Sequence, residues 1–287
     1  GQDDAIAMMT AFGAKKALNV LGVTCVAGNV PLDLTSVNAL KICELSGVFS
    51  VPVFRGSPTP MKRKLITAEH VHGKTGLDGT NLSVKKKELE PTDAVDFIIE
   101  CTEKYRDEKI TICALGPLTN IAKVLKQDTV LTDSIEEIVL MGGGFFEGGN
   151  ITPAAEFNIY VDPEAAKIVL ESGLKITMLP LDVTHKTLVQ RNFLEKLRKS
   201  GKNSAIQAAK LLDFFERYDV EKYGSQGGPL HDPNVIVYLL NPEIYSGRLV
   251  NVEVEVNSEL TRGMTVVDWW NVTDRIPNAY YLSLIHI

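Results

Sequence analysis

Apolar runs rich in β-branched residues alternate with helical periodicities along most of the chain. Strands are predicted at 18–27, 51–55, 110–115, 137–141 and 175–181. The apolar spacing between these runs predicts helices at 3–16, 34–46, 93–105, 118–127 and 163–172. Strands that alternate with helices are typical of a parallel sheet covered by helices on both faces. The pattern therefore predicts an α/β fold with a mostly parallel, Rossmann-like sheet flanked by helices.

The second half of the chain departs from this alternation. Two helices are predicted within 188–223, another at 232–240, and two late strands at 248–256 and 264–269. No Pro/Gly/Ser tract divides the chain and no solenoid-like repeat occurs, which predicts a single domain over 1–281. The aperiodic segment 56–90 is interpreted as an excursion over the surface, and loops of this length are usually functional.

Composition narrows the class of protein. Of the 287 residues, 45% are hydrophobic and 23% are charged, which is ordinary for a folded domain. The formal net charge of −6 argues against a nucleic-acid surface, and no apolar run reaches the roughly 18–20 residues that span a bilayer. The four cysteines form no CxxC pair and lie among apolar residues, which indicates buried thiols and a reducing, cytoplasmic location.

Polar residues and glycines follow several of the predicted strands. In doubly wound sheets, ligands bind outside the carboxyl ends of the strands. The residues at these positions are Asn29, Gly116, the glycines at 142–144 and Asp182. Their shared position predicts one functional rim that binds a small molecule.

Acidic residues open two of the predicted helices. Asp3 and Asp4 begin one helix, and Asp232 follows His231 at the start of another. Helix capping explains such acids by itself, since carboxylates are favoured in a first turn. Acids from two helix starts can instead share a hard cation such as calcium, which takes six to eight oxygen ligands. Zinc is less suited, because the only close histidine pair, His70 and His72, has no cysteine or acid at ligand spacing.

A glycine-rich stretch at 141–158 ends in polar residues of a different kind. Asn150, Glu156 and Asn158 are costly to bury unless they hydrogen-bond a partner, and amide and carboxylate groups can bracket sugar hydroxyls. Ordinary loop polarity is the alternative. His72 and His231 are the histidines best placed for function, although a lone histidine is more often structural. His185 is interpreted as a solvated loop residue.

The ordered set of motifs resembles the inosine–uridine type of nucleoside hydrolases, which cleave the N-glycosidic bond of ribonucleosides to ribose and free base. The matching strings occur in family order over nearly the whole chain. They are DDA (3–5), VAGN (26–29), HGKTGL (72–77), LGPLTNIA (115–122), the 141–158 stretch, PLDVTHK (180–186), PLHDP (229–233) and RGMTVVDW (262–269). Any one string is weak, but the ordered set is specific.

The resemblance implies roles for individual residues. The family's calcium ion would be held by Asp4, the main-chain carbonyl of Leu115 and Asp232. The residues implied to grip the ribose are Asp3, Asn29, Asn150, Glu156, Asn158 and Asp232. His231 is implied as the acid or hydrogen-bond donor to the departing base, and His72 as a second residue that faces the base. Calcium would activate a water that attacks the anomeric carbon. The family also implies nucleoside salvage and a homodimer or homotetramer.

Both ends of the chain depart from the family pattern. The opening motif of the family is Asp-x-Asp-x-Gly-x-Asp-Asp-Ala, and its second aspartate, the usual catalytic base, would precede Asp3 by four positions. The chain starts two residues before Asp3, so the first strand and the base are expected to be missing and turnover to be little or none. Residues 282–287 match the translation of a transposase sequencing adapter and are inferred to be non-native. A natural apolar tail is the alternative.

Two other functions fit part of the pattern. A non-catalytic homologue that binds ribose or nucleosides would keep the pocket without the base. A dinucleotide-binding protein is prompted by the triple glycine, but the GxGxxG spacing is absent. The choice between purine and pyrimidine stays open. The residues available to stack on a base are Phe214, Phe215, Tyr218 and Tyr223, of which Phe214 and Phe215 are interpreted as core.

Overall fold

The computed structural model describes residues 1–127, 130–224 and 227–284. Its strands are β1 (Val23–Cys25), β2 (Val53–Arg55), β3 (Ile110–Ala114), β4 (Ile135–Met141), β5 (Ile176–Leu179), β6 (Tyr245–Val250), β7 (Val252–Val254), β8 (Thr265–Val267) and β9 (Ala279–Leu284). Its α-helices are α1 (Gln2–Gly13), α2 (Leu32–Leu45), α3 (Glu69–His72), α4 (Ala94–Lys104), α5 (Thr119–Gln127), α6 (Phe157–Val161), α7 (Pro163–Leu170), α8 (Leu181–Thr184), α9 (Arg191–Lys199), α10 (Asn203–Tyr223) and α11 (Pro233–Leu240). Two 3₁₀ turns lie at Val130–Ser134 and Pro242–Ile244.

A five-stranded sheet with the order β3-β4-β5-β9-β6 forms the centre of the molecule. Its first four strands are parallel, and β6 runs antiparallel to β9 at one edge. In β4 every side chain except Glu136 is buried, which is expected of a parallel strand covered on both faces. Ile138, Leu140 and Met178 are almost fully buried in this core. The predicted α/β fold with a mostly parallel sheet is therefore confirmed.

The strand predicted at 18–27 is much shorter in the structure. Only Val23–Cys25 is extended and paired, and β1 and β2 form a separate parallel pair rather than the edge of the main sheet. A cavity of about 650 Å³ is lined by β1 on one side and β3 on the other. The predicted strand was too long because apolar residues can be buried without belonging to a strand. Leu18 and Val20 pack against buried clusters, but they do not pair with a neighbouring strand.

The late part of the chain is divided differently from the prediction. The strand predicted at 248–256 is broken at Asn251, which separates β6 from β7, while the strand predicted at 264–269 is β8. The Asn251 side chain donates to the carbonyl of Ile276 at 2.9 Å, and its own carbonyl accepts from Asp268 N. β7 and β8 then pair in an antiparallel ribbon. A polar residue with side-chain and main-chain partners outside the ladder explains the break.

Strand β9 includes part of the segment inferred to be non-native. Residues 282–284 pair with β6, and the Leu282 side chain is buried between helices and sheet. Residues 285–287, with His286, lie outside the described residues. The inference that 282–287 is non-native therefore stays a prediction. An apolar, strand-forming sequence fits this place in the sheet whatever its origin.

The helices cover the sheet, and part of the long segment 56–90 lies against the pocket described below. All five helices predicted between the first strands are present within two or three residues of their expected ends, and α9, α10 and α11 match the later predictions. The segment 56–90 contains only α3. Within the described ranges, no helix combines the length and apolar character that a membrane span requires.

Candidate active site

A pocket opens at the carboxyl ends of the parallel strands. Asn29 lies beyond β1, Leu115 directly after β3, and Met141 at the end of β4. This position follows the rule for ligand sites in open parallel sheets. Nine of the residues predicted for the site line this one pocket: Asp3, Asn29, His72, Leu115, Asn150, Glu156, Asn158, His231 and Asp232. Asp4 lies beside them, although it does not line the pocket itself.

Three carboxylates meet where helices α1 and α11 begin. One oxygen each from Asp3, Asp4 and Asp232 lies within 4.8 Å of the others. Asp3 and Asp232 are buried, with 4% and 3% of their surface exposed. Asp4 Oδ2 accepts from the amino group of Gly1 at 2.5 Å and from Asn29 Nδ2 at 3.3 Å. Helix capping alone does not account for the cluster, because the Asp232 side chain makes no capping hydrogen bond to α11.

The electrostatics of this cluster favour a positive ion. Burial, followed by repulsion from Asp4, raises the pKa of Asp3 to about 6. Burial, followed by repulsion from Asp3 and Asp4, raises the pKa of Asp232 well above its ordinary value. Asp3 Oδ1 is buried and has no hydrogen-bond partner among the described residues. Carboxylate oxygens that are crowded, buried and unpartnered fit a hard, oxygen-preferring divalent cation.

A second wall of the pocket is built from Glu156 and two asparagines. Glu156 caps α6, and its carboxylate accepts from the main-chain N–H groups of Gly143, Asn158 and Ile159 at 3.0–3.3 Å. Burial raises the pKa of Glu156 to about 7, against the opposing effect of these N–H groups. Asn158 Nδ2 donates to Met141 O at 3.1 Å. Asn150 Oδ1 accepts from the N–H of Phe157 at 2.9 Å, which leaves its amide NH₂ available to a ligand.

The triple glycine is required by a close turn. Gly143 adopts φ +81°, and a Cβ on Gly144 would lie 2.1 Å from the carbonyl oxygen of Gly148. The glycines therefore let the chain fold back on itself after β4. No helix begins directly after this turn, since α6 starts at Phe157, so the turn lacks the helix N-terminus of a dinucleotide-binding loop.

The Asp182 side chain holds the segment that follows this turn through hydrogen bonds to its main chain. Its Oδ1 accepts from the N–H of Glu147 at 2.8 Å, and its Oδ2 accepts from the N–H of Phe145 at 3.0 Å and from the Tyr281 hydroxyl at 2.5 Å. Asp182 is buried and does not line the pocket. It fixes the loop that carries Asn150, so it supports the site without touching a ligand.

The two predicted histidines line the same pocket. His72 Nδ1 hydrogen-bonds Gln2 Oε1 at 2.8 Å, and its ring stacks on Phe215 with 5.5 Å between centroids. Burial lowers the pKa of His72 well below its ordinary value. His231 Nδ1 lies 2.8 Å from Thr184 Oγ1, and burial, followed by the nearby His185, lowers the pKa of His231 to about 3. Both rings are therefore neutral at physiological pH.

Sequence reasoning misplaced or missed several pocket residues. His185 was predicted to be a solvated loop residue; it lies in a turn with 33% of its side chain exposed, and it also lines the pocket and meets His231 edge-on at 5.8 Å. Its place shortly after the end of β5 was the available signal for the contact with the pocket. Phe215 is buried, as interpreted, but also lines the pocket, while the Tyr223 side chain lies outside the described residues. Tyr218, one of the residues available to stack on a base, also lines the pocket, and so do His70 and Asp219, which the sequence did not single out as functional.

Comparison with known proteins gives a consistent set of relatives. The family described as inosine-uridine preferring nucleoside hydrolase matches residues 1–286. An uncharacterised protein of Schizosaccharomyces pombe is 48% identical over 99% of this chain and 92% of its own length. The pyrimidine-specific ribonucleoside hydrolase RihA of Photobacterium profundum is 45% identical over 98% of this chain and 90% of its own. The solved purine-preferring ribonucleoside hydrolase from Gardnerella vaginalis superposes with a TM-score of 0.91 at 31% identity, covering 98% of this chain and 90% of that one.

Proposed function

Because the chain belongs to the inosine-uridine preferring nucleoside hydrolase family, we propose that it hydrolyses the N-glycosidic bond of ribonucleosides with the help of a bound calcium ion. The observation that carries this proposal is the convergence, in one pocket, of a buried carboxylate cluster with a wall of amide and carboxylate groups. The cluster suits a hard cation and the wall suits a polyhydroxylated sugar. The comparisons give no support to the expectation that the chain turns over little or no nucleoside.

The residues that would hold the calcium ion are Asp4, Asp232 and the carbonyl of Leu115. Their donor atoms are all oxygens, and Leu115 O already lies within 3.3 Å of Asn158 Nδ2 at the edge of the pocket. Oxygen-only sites prefer calcium or magnesium to zinc. When bound, calcium lowers the pKa of a coordinated water and orients it.

The polar wall would bind the ribose. Asp3 and Asn29 line the pocket at the acidic cluster, and Asn150, Glu156 and Asn158 line it as the second wall. Carboxylates and amide oxygens accept hydrogen bonds from sugar hydroxyls. As the glycosidic bond breaks, the sugar gains oxocarbenium character, so buried negative charge stabilises the transition state more than the ground state.

His231 is proposed to assist the departing base. It lines the pocket together with His72, Phe215 and His185. A neutral imidazole N–H can donate a hydrogen bond to a base nitrogen or oxygen as negative charge develops there. His72 also lines the pocket, but its Nδ1 lies 2.8 Å from Gln2 Oε1, which can only accept a hydrogen bond. The ring proton of His72 is therefore on Nδ1 and its Nε2 has no hydrogen to donate to a base, so His72 is the secondary contact.

Replacing His231 with phenylalanine is expected to lower kcat for uridine roughly 10²-fold, because the ring volume is kept but the donor is lost. Steady-state kinetics on the purified protein measure this. His70→Phe is the control, since His70 also lines the pocket but has no proposed role in bond cleavage. Equal losses in both variants would show that His231 has no special part in departure of the base.

We propose pyrimidine ribonucleosides as the preferred class. The RihA relative, described as pyrimidine-specific, is 45% identical to this chain, whereas the purine-preferring Gardnerella enzyme is 31% identical. The higher likeness extends over nearly the whole chain and so includes the elements around the base. Uridine and cytidine are expected to show higher kcat/KM than inosine.

The decisive experiment measures ribose release from uridine, cytidine and inosine by the purified protein, with calcium or with a chelator. Release that requires calcium supports the proposal. Nucleoside binding without release, by equilibrium dialysis, would favour the alternative of a non-catalytic nucleoside-binding homologue. Release that persists unchanged in chelator would contradict the role of the metal.

We also propose a role in purine or pyrimidine salvage, a cytoplasmic location, and assembly into a homodimer or homotetramer. Light scattering on the purified chain measures the assembly, and a monomer at micromolar concentration would contradict it.

A further inference from the structure

The short helix α8 lies within a motif that contains a residue with no role in the proposed reaction so far, Thr184. The string PLDVTHK at 180–186 crosses from the end of β5 into α8 and on towards the pocket. Asp182 anchors the glycine turn and His185 lines the pocket, but Thr184 does neither. Thr184 is fully buried, and its Oγ1 lies 2.8 Å from Nδ1 of His231.

We propose that Thr184 is a positioning residue for the glycosidic cleavage. Its hydroxyl donates to Nδ1 of His231 and so holds the ring as the Nε2–H tautomer, with that N–H available to the departing base. The inference rests on the proposed role of His231. The Thr184 hydroxyl is the group that sets the tautomer and the orientation of the His231 ring.

The direction of this hydrogen bond follows from the partners available. Among the described residues, the Thr184 hydroxyl has one hydrogen-bond partner, His231 Nδ1. If Nδ1–H donated to the hydroxyl, the hydroxyl hydrogen would be left without an acceptor in a fully buried place, which is costly. If the hydroxyl donates instead, only spare lone pairs remain, and unsatisfied acceptors are tolerated better than unsatisfied donors. The second arrangement places the ring proton on Nε2.

The surroundings of Thr184 are rigid enough to hold the ring. Its main-chain N–H donates to Pro180 O at 3.0 Å, and its carbonyl accepts from Thr187 N at 3.1 Å. His231 also packs edge-on against His185 and Phe215, with centroids at 5.8 and 6.3 Å. These ring contacts restrict the plane of the imidazole but do not distinguish its two nitrogens. Only the hydroxyl makes that distinction.

The kinetic test compares Thr184→Val with Thr184→Ser in the purified protein. Valine keeps the volume and removes the hydroxyl, so kcat for uridine is expected to fall about tenfold with little change in KM. Serine keeps the hydroxyl and is expected to restore most of the rate. With 4-nitrophenyl ribofuranoside, whose leaving group needs no donor, Thr184→Val is expected to match the wild type. An equal loss on both substrates would overturn the proposal, because a merely structural defect would affect them alike.

The control for loss of a buried hydroxyl is Thr102→Val. Thr102 is fully buried in α4 and donates to Ile99 O at 2.7 Å, and it does not line the pocket. Thr102→Val is expected to lower the melting temperature like Thr184→Val while leaving both substrates at wild-type rates. A selective loss on uridine in this control as well would contradict the positioning role of Thr184.

Two-bond ¹H–¹⁵N correlation spectra of His231 test the tautomer without any substrate. The wild type and Thr184→Ser are expected to show a protonated Nε2 and an unprotonated Nδ1. A protonated Nδ1 in the wild type would overturn the proposal. This readout also separates the two inferences: if the protein releases no ribose from any nucleoside, the proposed function fails, while the spectra still decide whether Thr184 sets the tautomer.

Discussion

Replacing Asp232 with asparagine is expected to lower kcat/KM for uridine roughly 10³-fold, about 4 kcal/mol of transition-state stabilisation. Asp232 is buried between Asp3 and Asp4 at the start of α11, and it is proposed to contact both calcium and ribose. An amide keeps the shape of the side chain but supplies neither the negative charge nor a second ligand oxygen. The loss should therefore affect metal binding as well as turnover.

Calcium titration followed by thermal unfolding measures the second effect. At a calcium concentration of about 100 Kd, a ligand that binds only the folded state adds about 2.7 kcal/mol to the free energy of unfolding. The wild type is expected to show this gain, and Asp232→Asn to lose most of it at the same concentration.

The matched control for this prediction is Asp162→Asn. Asp162 is fully buried and accepts from Thr119 Oγ1 at 2.6 Å and from the N–H groups of Met61 and Ala165, but it does not line the pocket. This variant is expected to be less stable and yet to keep the wild-type gain from calcium. If Asp232→Asn kept that gain too, the acidic cluster would not be the calcium site.

Replacing Glu156 with glutamine is expected to impair both stability and turnover. The Glu156 carboxylate accepts hydrogen bonds from three main-chain N–H groups. In glutamine one of the two oxygens is replaced by an NH₂ group, which is a donor and would point at these N–H donors without an acceptor. A donor left unsatisfied in a buried place costs roughly 1–3 kcal/mol in the free energy of unfolding. The proposed ribose contact is weakened as well, so kcat/KM should fall roughly 10²-fold.

Glu137→Gln separates these two effects. Glu137 is buried near the start of β4, at the opposite end of the strand from the pocket, and it bonds Thr177 and Lys175. Urea unfolding should show a loss of stability in both variants, whereas uridine kinetics should change only in Glu156→Gln. Wild-type kinetics in Glu156→Gln would leave Glu156 as a structural anchor of α6 and the glycine turn.

The parts of the fold that local pattern could predict are the strongly periodic ones. β3, β4 and β5 were predicted because continuous β-branched runs bounded by turn residues have few other uses. β9 (Ala279–Leu284) was not predicted, in part because its residues 282–284 were set aside as non-native, and the length of β1 was overestimated. In both places the deciding factor is whether a neighbouring strand is available for pairing, and that is a property of the assembled sheet.

The candidate site shows the same division. The acidic residues, the asparagines and both proposed histidines were singled out from their places after strands, at helix starts and in the glycine-rich stretch, and their roles were implied by the resemblance to the family. His185 was assigned to solvent because its neighbours in the sequence are polar. Thr184 gave no signal at all, since a threonine in a short helix has many ordinary roles.

The sequence by itself therefore determined the α/β architecture, the family, and which residue types meet at the rim of the sheet, because these follow from periodicity and from the order of motifs along the chain. The tertiary structure decided the rest. It brought Asp3 and Asp232, 229 positions apart, into one cluster, turned His185 into the pocket and placed Thr184 against His231. Distances of a few ångströms between residues far apart in sequence arise from the packing of α1, α8 and α11, and no local pattern encodes them.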